Sequence, residues 1–156
     1  MEIEVKIDDL KDGKVIGLLR EHLKEMQLYS PQESIHALNE SDIRESNITF
    51  WSAWDETNLA ACGALKKLDE KHGEIKSMRT ARKYLRRGIA ERILQFIISE
   101  SRKRNYNRIS LETGTNIAFV PAVNLYKKYG FTECEPFAAY KPDPHSIFLT
   151  KKLENA

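Results

Sequence analysis

The residues best suited to chemistry lie between Gly73 and Arg104, in the stretch GEIKSMRTARKYLRRGIAERILQFIISESRKR. Glu74 to Thr80 has the character of a short strand, and Ala81 to Arg87 is a basic turn. An amphipathic helix then begins at Gly88, with Ile89, Ile93, Phe96 and Ile97 on one face. A strand that turns into a helix through Arg86-Arg87-Gly88 leaves the first backbone N–H groups of that helix unpaired. Those groups, the positive end of the helix dipole and the flanking arginines together make an anion site. Gly88 has no Cβ, so a phosphate can approach the main chain closely. The plain alternative is a basic helix start with solvated arginines and a glycine present only for the turn. Arg79 has two readings as well, one facing an anionic acceptor and one as a member of the basic turn.

Other reactive side chains suggest less. His22, His36, His72 and His145 show no ligand spacing with each other or with carboxylates, and no metal site is expected. Cys62 and Cys134 lack metal-ligand spacing too and read as free thiols of a reducing compartment rather than a disulfide. The chain of 156 residues suits a single domain, 1–156, with a substantial core. A net charge of +2 makes no case for general nucleic-acid binding. The basic residues cluster at 79–87 and 102–108, which fits a local anionic ligand better than a polyanion track. No apolar run approaches the about 18 residues of a membrane span, and the acidic N-terminus does not resemble a signal peptide. The expected location is cytoplasmic.

The elements that must position these groups follow from periodicity. Ile3, Val5 and Ile7 alternate with charged residues, the mark of a half-buried strand. Asp8 or Asp9 is placed to cap a following helix, on which Ile16, Leu19, Leu23 and Met26 recur as one apolar stripe. Ser30-Pro31 opens a second, shorter helical stretch to about Leu38, and Asn39 to Asn47 is polar and irregular or a single turn. Strands are predicted over Ile48–Trp54, Leu59–Leu65 and Glu74–Thr80, joined by turns at Asp55–Asn58 and Lys67–Gly73 as an antiparallel meander. Trp51 and Trp54 fall on opposite faces, so at most one lines a site, and core packing suits both. Leu59 to Leu65 is apolar on both faces and reads as a central strand. The helix after Gly88 leads to a strand at 109–113, a crossover of the length parallel pairing requires. A further helix spans Ala118–Tyr129, with Ala118, Ala122, Leu125 and Tyr129 buried, and Gly130 ends it. Phe131–Cys134 and Ser146–Leu153 are the last strands. The Pro- and Asp-rich segment between them, Glu135–His145, reads as a surface loop or a lid.

Two stretches, Leu85-Arg86-Arg87-Gly88-Ile89-Ala90 and Ala122-Val123-Asn124-Leu125-Tyr126-Lys127-Lys128-Tyr129-Gly130-Phe131, resemble the GNAT superfamily of acyl-CoA-dependent N-acyltransferases. The first is similar to the pyrophosphate loop [Q/R]-x-x-G-x-[G/A], the second to the A-x-x-L-Y-x-x-x-G-F helix and strand. Ser110 to Gly114, Pro136-Phe137 and Asp143-Pro144 resemble a small-molecule branch. The resemblance implies an α+β fold built on a mixed, mostly antiparallel sheet of six or seven strands. Its central parallel pair would splay into a V-shaped CoA cleft, with helices on both faces. The implied partner set is acetyl-CoA as co-substrate and a small-molecule amine, with no nucleic acid and no membrane, and a homodimer is compatible with it.

By the same resemblance, the main chain from Arg86 through Arg87, Gly88 and Ile89 to Ala90 would receive the pyrophosphate. Met78, Arg79 and Thr80, at the splayed end of their strand, would pair with pantetheine and polarise the thioester carbonyl. Tyr126 would be the acid that protonates the departing thiolate, the other reading being a core tyrosine with a satisfied hydroxyl. Glu74, which starts the strand beside that cleft, is the candidate general base, directly or through water, the other reading being a solvated strand-end glutamate; Glu112 across the cleft is its rival. Two positions depart from the family pattern: Leu85 stands where Gln or Arg is usual, and Phe119 where Asn is frequent. Asn116 is the nearest asparagine to take over that pantetheine contact. A catalytically silent acyl-CoA sensor and a protein or peptide N-acetyltransferase are the alternative functions on the same fold.

Overall fold

The computed structural model describes residues 1–36 and 43–153. Its sheet has seven strands in the order β1-β2-β3-β4-β5-β7-β6. These are β1 (Ile3–Asp8), β2 (Ile48–Asp55), β3 (Asn58–Lys67), β4 (His72–Thr80), β5 (Arg108–Gly114), β6 (Thr132–Glu133) and β7 (Ser146–Lys152). Helices α1 (Lys14–Tyr29), α2 (Ile89–Lys103) and α3 (Val120–Lys128) and short 3₁₀ turns at Gln32–Ser34, Arg82–Tyr84 and Ile117–Phe119 complete the described elements. The meander β2-β3-β4 is antiparallel, and β4 and β5 form the parallel pair joined through α2. The α+β architecture expected from the sequence is therefore the one observed.

Apolar faces explain the layers. On one side of the sheet, Ile89, Ile93 and Ile97 of α2 pack with Trp51, Leu65, Ile75 and Ile109. On the other, Val15 and Leu18 of α1 meet Phe50, Cys62 and Ala64. Residues 60–65 of β3 are buried throughout, as a strand covered on both faces must be. Gly63 permits the closest approach of α2. A Cβ there would stand 2.5 Å from the Met78 sulfur and 2.8 Å from Ile93 Cγ2.

Several local expectations are corrected. Gly13, in the left-handed region, precedes α1, while Asp8 and Asp9 accept the N–H groups of Leu10 and Lys11 in local turns. Ile7 is 66% exposed despite its place in the alternation, and Phe96 also faces solvent. Ser30 closes α1 through its N–H to Met26 O, and the stretch after Pro31 forms only a 3₁₀ turn, Gln32–Ser34. The rest of that expected helix, and the first part of the Asn39–Asn47 segment, lie outside the described residues. Residues 43–47 are turns. Within α3 the fully buried positions are Val123 and Tyr126, while Ala122, Leu125 and Tyr129 are only partly buried. Both tryptophans are buried in packing.

Candidate active site

The parallel pair is short. His72, Gly73 and Glu74 oppose Arg108, Ile109 and Ser110, and no further register partners join β4 to β5. A buried polar chain clamps this closed end: His72 Nε2 meets Ser110 Oγ at 2.7 Å, and Ser110 Oγ meets Thr150 Oγ1 at 2.9 Å. Beyond Glu74 the strand bulges. Ser77 has φ 58, and the register with β3 shifts between Cys62 and Ala64. A bulge bends and twists its strand, so Met78 to Thr80 diverge from β5, while Arg79 and Thr80 still pair with Cys62 and Ala61 of β3. Their β5-facing main-chain groups border a cleft of about 760 Å³.

One wall of the cleft is the start of α2. Arg86 and Gly88 both adopt the left-handed conformation, with φ 64 and 75. Gly88 makes no side-chain cap, so the first N–H groups of the helix gain no partner from the capping residue. Apart from its chain neighbours and the helix backbone, no atom of the described residues lies within 4 Å of where a Gly88 Cβ would stand. Arg86, Gly88, Ile89 and Ala90 line the cleft. Arg87 is not among the lining residues; its guanidinium sits 5.7 Å from the Tyr84 ring centre and 3.7 Å from the Met1 sulfur.

A second wall is α3. Tyr126 lines the cleft, is 6% exposed, and stacks edge-on against Phe131 at 5.7 Å. Its hydroxyl makes no hydrogen bond among the described residues. Burial pushes the phenol above its ordinary range, so it stays protonated at neutral pH. Asn116 is placed elsewhere. Its Oδ1 accepts the Ala118 N–H at 2.9 Å, and it borders a separate recess of about 360 Å³. Phe119 occupies the cleft instead.

Opposite these, β4 and α1 bring together a polar cluster. Glu74 is 3% exposed, and its Oε2 accepts the Tyr140 hydroxyl at 2.6 Å and the Lys76 ammonium at 3.3 Å. Lys76 also donates to Tyr140 Oη at 2.9 Å and to His36 O at 3.3 Å. Across the opening, Glu112 accepts from Ser146 Oγ at 2.7 Å, and burial raises its carboxyl above the usual range. Farther along β4, Arg79 Nη1 pairs with Glu25 Oε2 at 2.6 Å, and Arg82 holds the other carboxylate oxygen at 2.9 Å. Hydrogen bonds from these two guanidinium groups lower Glu25 to about 2. His22, three residues before Glu25 on α1, is held down at about 4, first by burial and then by Arg79. The stripe Ile16, Leu19, Leu23 and Met26 faces this cavity, while Val15 and Leu18 carry the core contact.

Periodicity did not single out Tyr140, Lys76, His22 or Glu25. Lys76 had a readable signal, since it alternates with Glu74 onto the same face of a strand. Tyr140 had none, because only folding brings the 135–145 loop to β4. There Tyr140 packs against His36, Phe137 and Phe148 with ring centres 5.0, 5.2 and 5.5 Å away.

Solved structures of acyl-CoA N-acyltransferases and acetyltransferases share this fold. A crystal structure from Klebsiella pneumoniae subsp. pneumoniae MGH 78578, described as such an enzyme, superposes with a TM-score of 0.83. It covers 97% of this chain and 98% of its own at 23% identity. A GNAT family acetyltransferase from Elizabethkingia anophelis, solved with acetyl-CoA bound, gives 0.70 over 97% and 98% at 20% identity. At these identities both bear on the fold alone. The chain belongs to the acetyltransferase (GNAT) family, whose sequence pattern matches residues 15–131. It is 56% identical over 151 residues to the uncharacterized N-acetyltransferase YsnE of Bacillus subtilis (strain 168), covering 97% of this chain and 100% of YsnE. The protein is thus an acetyltransferase, of a family that uses acetyl-CoA.

Proposed function

We propose that the protein transfers the acetyl group of acetyl-CoA to a primary amine of a small molecule, by direct attack within a ternary complex. The observation that carries this is the convergence, on one cleft, of an anion-receptive helix start, an unpaired strand edge, a buried phenol and a buried carboxylate.

The residues present fit CoA. The open space over Gly88 and the N–H groups from Gly88 to Ala90 would hold the diphosphate, with Arg86 adding charge. Main-chain groups of Met78 to Thr80 would take the amide-rich arm as an added strand takes a sheet edge. Bound there, acetyl-CoA supplies an acetyl group activated as a thioester. The N–H groups at the end of β4 are donors for the carbonyl oxygen, aimed where negative charge develops. Glu74, tied down through Oε2, keeps Oε1 for the acceptor and takes a proton from its ammonium, directly or through water. Tyr126 holds a proton at its phenol oxygen for the sulfur as it departs. Glu112, across the cleft and already bonded to Ser146 Oγ, is the second candidate for the base. Asn116, whose Oδ1 accepts the Ala118 N–H at the border of the other recess, is not assigned the pantetheine contact.

A small acceptor is favoured over a peptide because the 135–145 loop closes the acceptor end, with Tyr140 bonded to both Glu74 and Lys76. The test is thiol release from acetyl-CoA across amino acids, polyamines, aminoglycosides and peptides. Turnover confined to small amines is expected. Turnover with peptides alone would overturn the small-molecule reading. CoA binding without thiol release from any acceptor would make the protein a sensor.

A further inference from the structure

Two buried nitrogens on the α1 side of the cleft stand out. Among the described residues, neither Arg79 Nε nor His22 Nδ1 has a hydrogen-bond partner. A buried donor left unmade costs free energy that a folded protein normally avoids, so each such atom calls for an explanation. Both residues line the cleft. Arg79 is anchored rather than loose, with its side chain 16% exposed and Nη1 engaged by Glu25. Glu25 and His22 lie three apart on α1 and so share a helix face. The anchor fixes the guanidinium plane while leaving Nε without an acceptor.

We propose that Arg79 and His22 form an anion subsite, and that the acceptor amine also carries a carboxylate. This rests on the acetyltransferase reading of the same cleft. A guanidinium N–H is always a donor, and charge-assisted bonds to carboxylate are the strong ones. At about 4, His22 is neutral at pH 7 and offers a single N–H, adding direction without a second full charge. Of the two guanidinium groups bound to Glu25, Arg79 alone lines the cleft, and its unmet Nε–H is one directed donor for a planar carboxylate. The amine end falls at Glu74, on the same strand. Five residues at about 3.3 Å each put the two backbone positions up to about 16 Å apart, before two long side chains reach inward. The separation of amine and carboxylate in the acceptor is therefore a variable to be scanned.

The test uses equilibrium binding, so that it does not depend on turnover. N-acetylated amino carboxylates of increasing amine–carboxylate separation, and the matching carboxamides, are titrated into the full chain saturated with CoA. At least one carboxylate should bind about 10- to 100-fold tighter than its amide. Arg79→Gln should bring the two together. Glu25→Gln should keep the preference, because it releases Arg79 rather than removing it. A merely structural ion pair predicts that both variants behave alike. Should Arg79→Gln fail to fold, His22→Phe asks the same question and should reduce the preference. The subsite is overturned if no carboxylate out-binds its amide. It is equally overturned if the preference survives Arg79→Gln, or if Glu25→Gln abolishes it as Arg79→Gln does. Thiol release with the free amines judges the acetyltransfer reading separately.

Discussion

At the scale of single residues, burial decides which groups can work. Tyr126 is enclosed by α3 and Phe131, and its phenol is raised by burial, first and only. Such a hydroxyl is protonated at neutral pH and so keeps a proton to donate towards the departing sulfur. Tyr126→Phe should lower kcat by about 10²–10⁴-fold with the KM for acetyl-CoA nearly unchanged, as expected for an interaction made in the transition state. The ring is retained, so an unaltered melting temperature is the control; full kcat in the variant would move the acid role to water. Glu74 differs, because its carboxylate is already held by Tyr140 and Lys76. Tyr140→Phe should therefore misplace the base without removing it, giving a kcat loss smaller than that of Glu74→Gln. Steady-state kinetics on the two variants decides the order, and equal losses would give Tyr140 a direct part in the chemistry.

At the scale of elements, the site is made by two irregularities. The left-handed pair Arg86 and Gly88 opens the start of α2, and the Ser77 bulge swings β4 away from β5. The Cβ of Gly88→Val would enter open space, and the left-handed backbone there costs a β-branched residue about 1–2 kcal/mol. CoA affinity measured by calorimetry should nonetheless fall about tenfold or more, while a CoA fragment lacking the diphosphate binds unchanged. Arg86→Glu should weaken CoA binding more than Arg87→Glu, because only Arg86 lines the cleft. The reverse order would relocate the phosphate site. Gly63→Ala tests the packing beneath the bulge. With Met78 and Ile93 already closer than a Cβ tolerates, it should destabilise the fold by about 1–3 kcal/mol in denaturant titration.

At the scale of the whole molecule, α1 is tied to the sheet through the Glu25–Arg79–Arg82 cluster, and that tie is pH-dependent. A histidine depressed in the folded state binds its proton more readily when unfolded. Its contribution to stability is full above its ordinary value of 6.5 and is lost as pH falls towards about 4. Glu25, also depressed, contributes above its ordinary 4.5 and loses that contribution as pH falls towards about 2. Glu112 has the opposite sign, its raised carboxyl favouring the fold at low pH and ceasing to do so as pH rises through the folded value. Denaturant midpoints should decline on acidification in two stages. His22→Gln should flatten the stage between 6.5 and 4 and leave the lower one. A parent whose midpoint is constant down to pH 4 would contradict the burial of His22.

What the sequence by itself determined is what repeats locally. The meander, the crossover helix and the glycine at its start are legible because strand alternation, helical spacing and turn chemistry act between near neighbours. Of the residues put forward from the sequence and its family resemblance, Glu74, Arg86, Gly88 and Tyr126 all line the one cleft. The tertiary structure alone decided which apolar stripe becomes core. Ile16, Leu19, Leu23 and Met26 have the spacing of a buried face, yet all four line a cleft, with Ile16 and Leu19 also packed against the core, because α1 lies over the divergent end of β4. It alone brought Tyr140 from a distant loop to Glu74, and Glu25 to Arg79, across 66 and 54 positions of chain. Contacts of that separation leave no periodic trace, since their partners are chosen by the geometry of packed elements and not by spacing along the backbone.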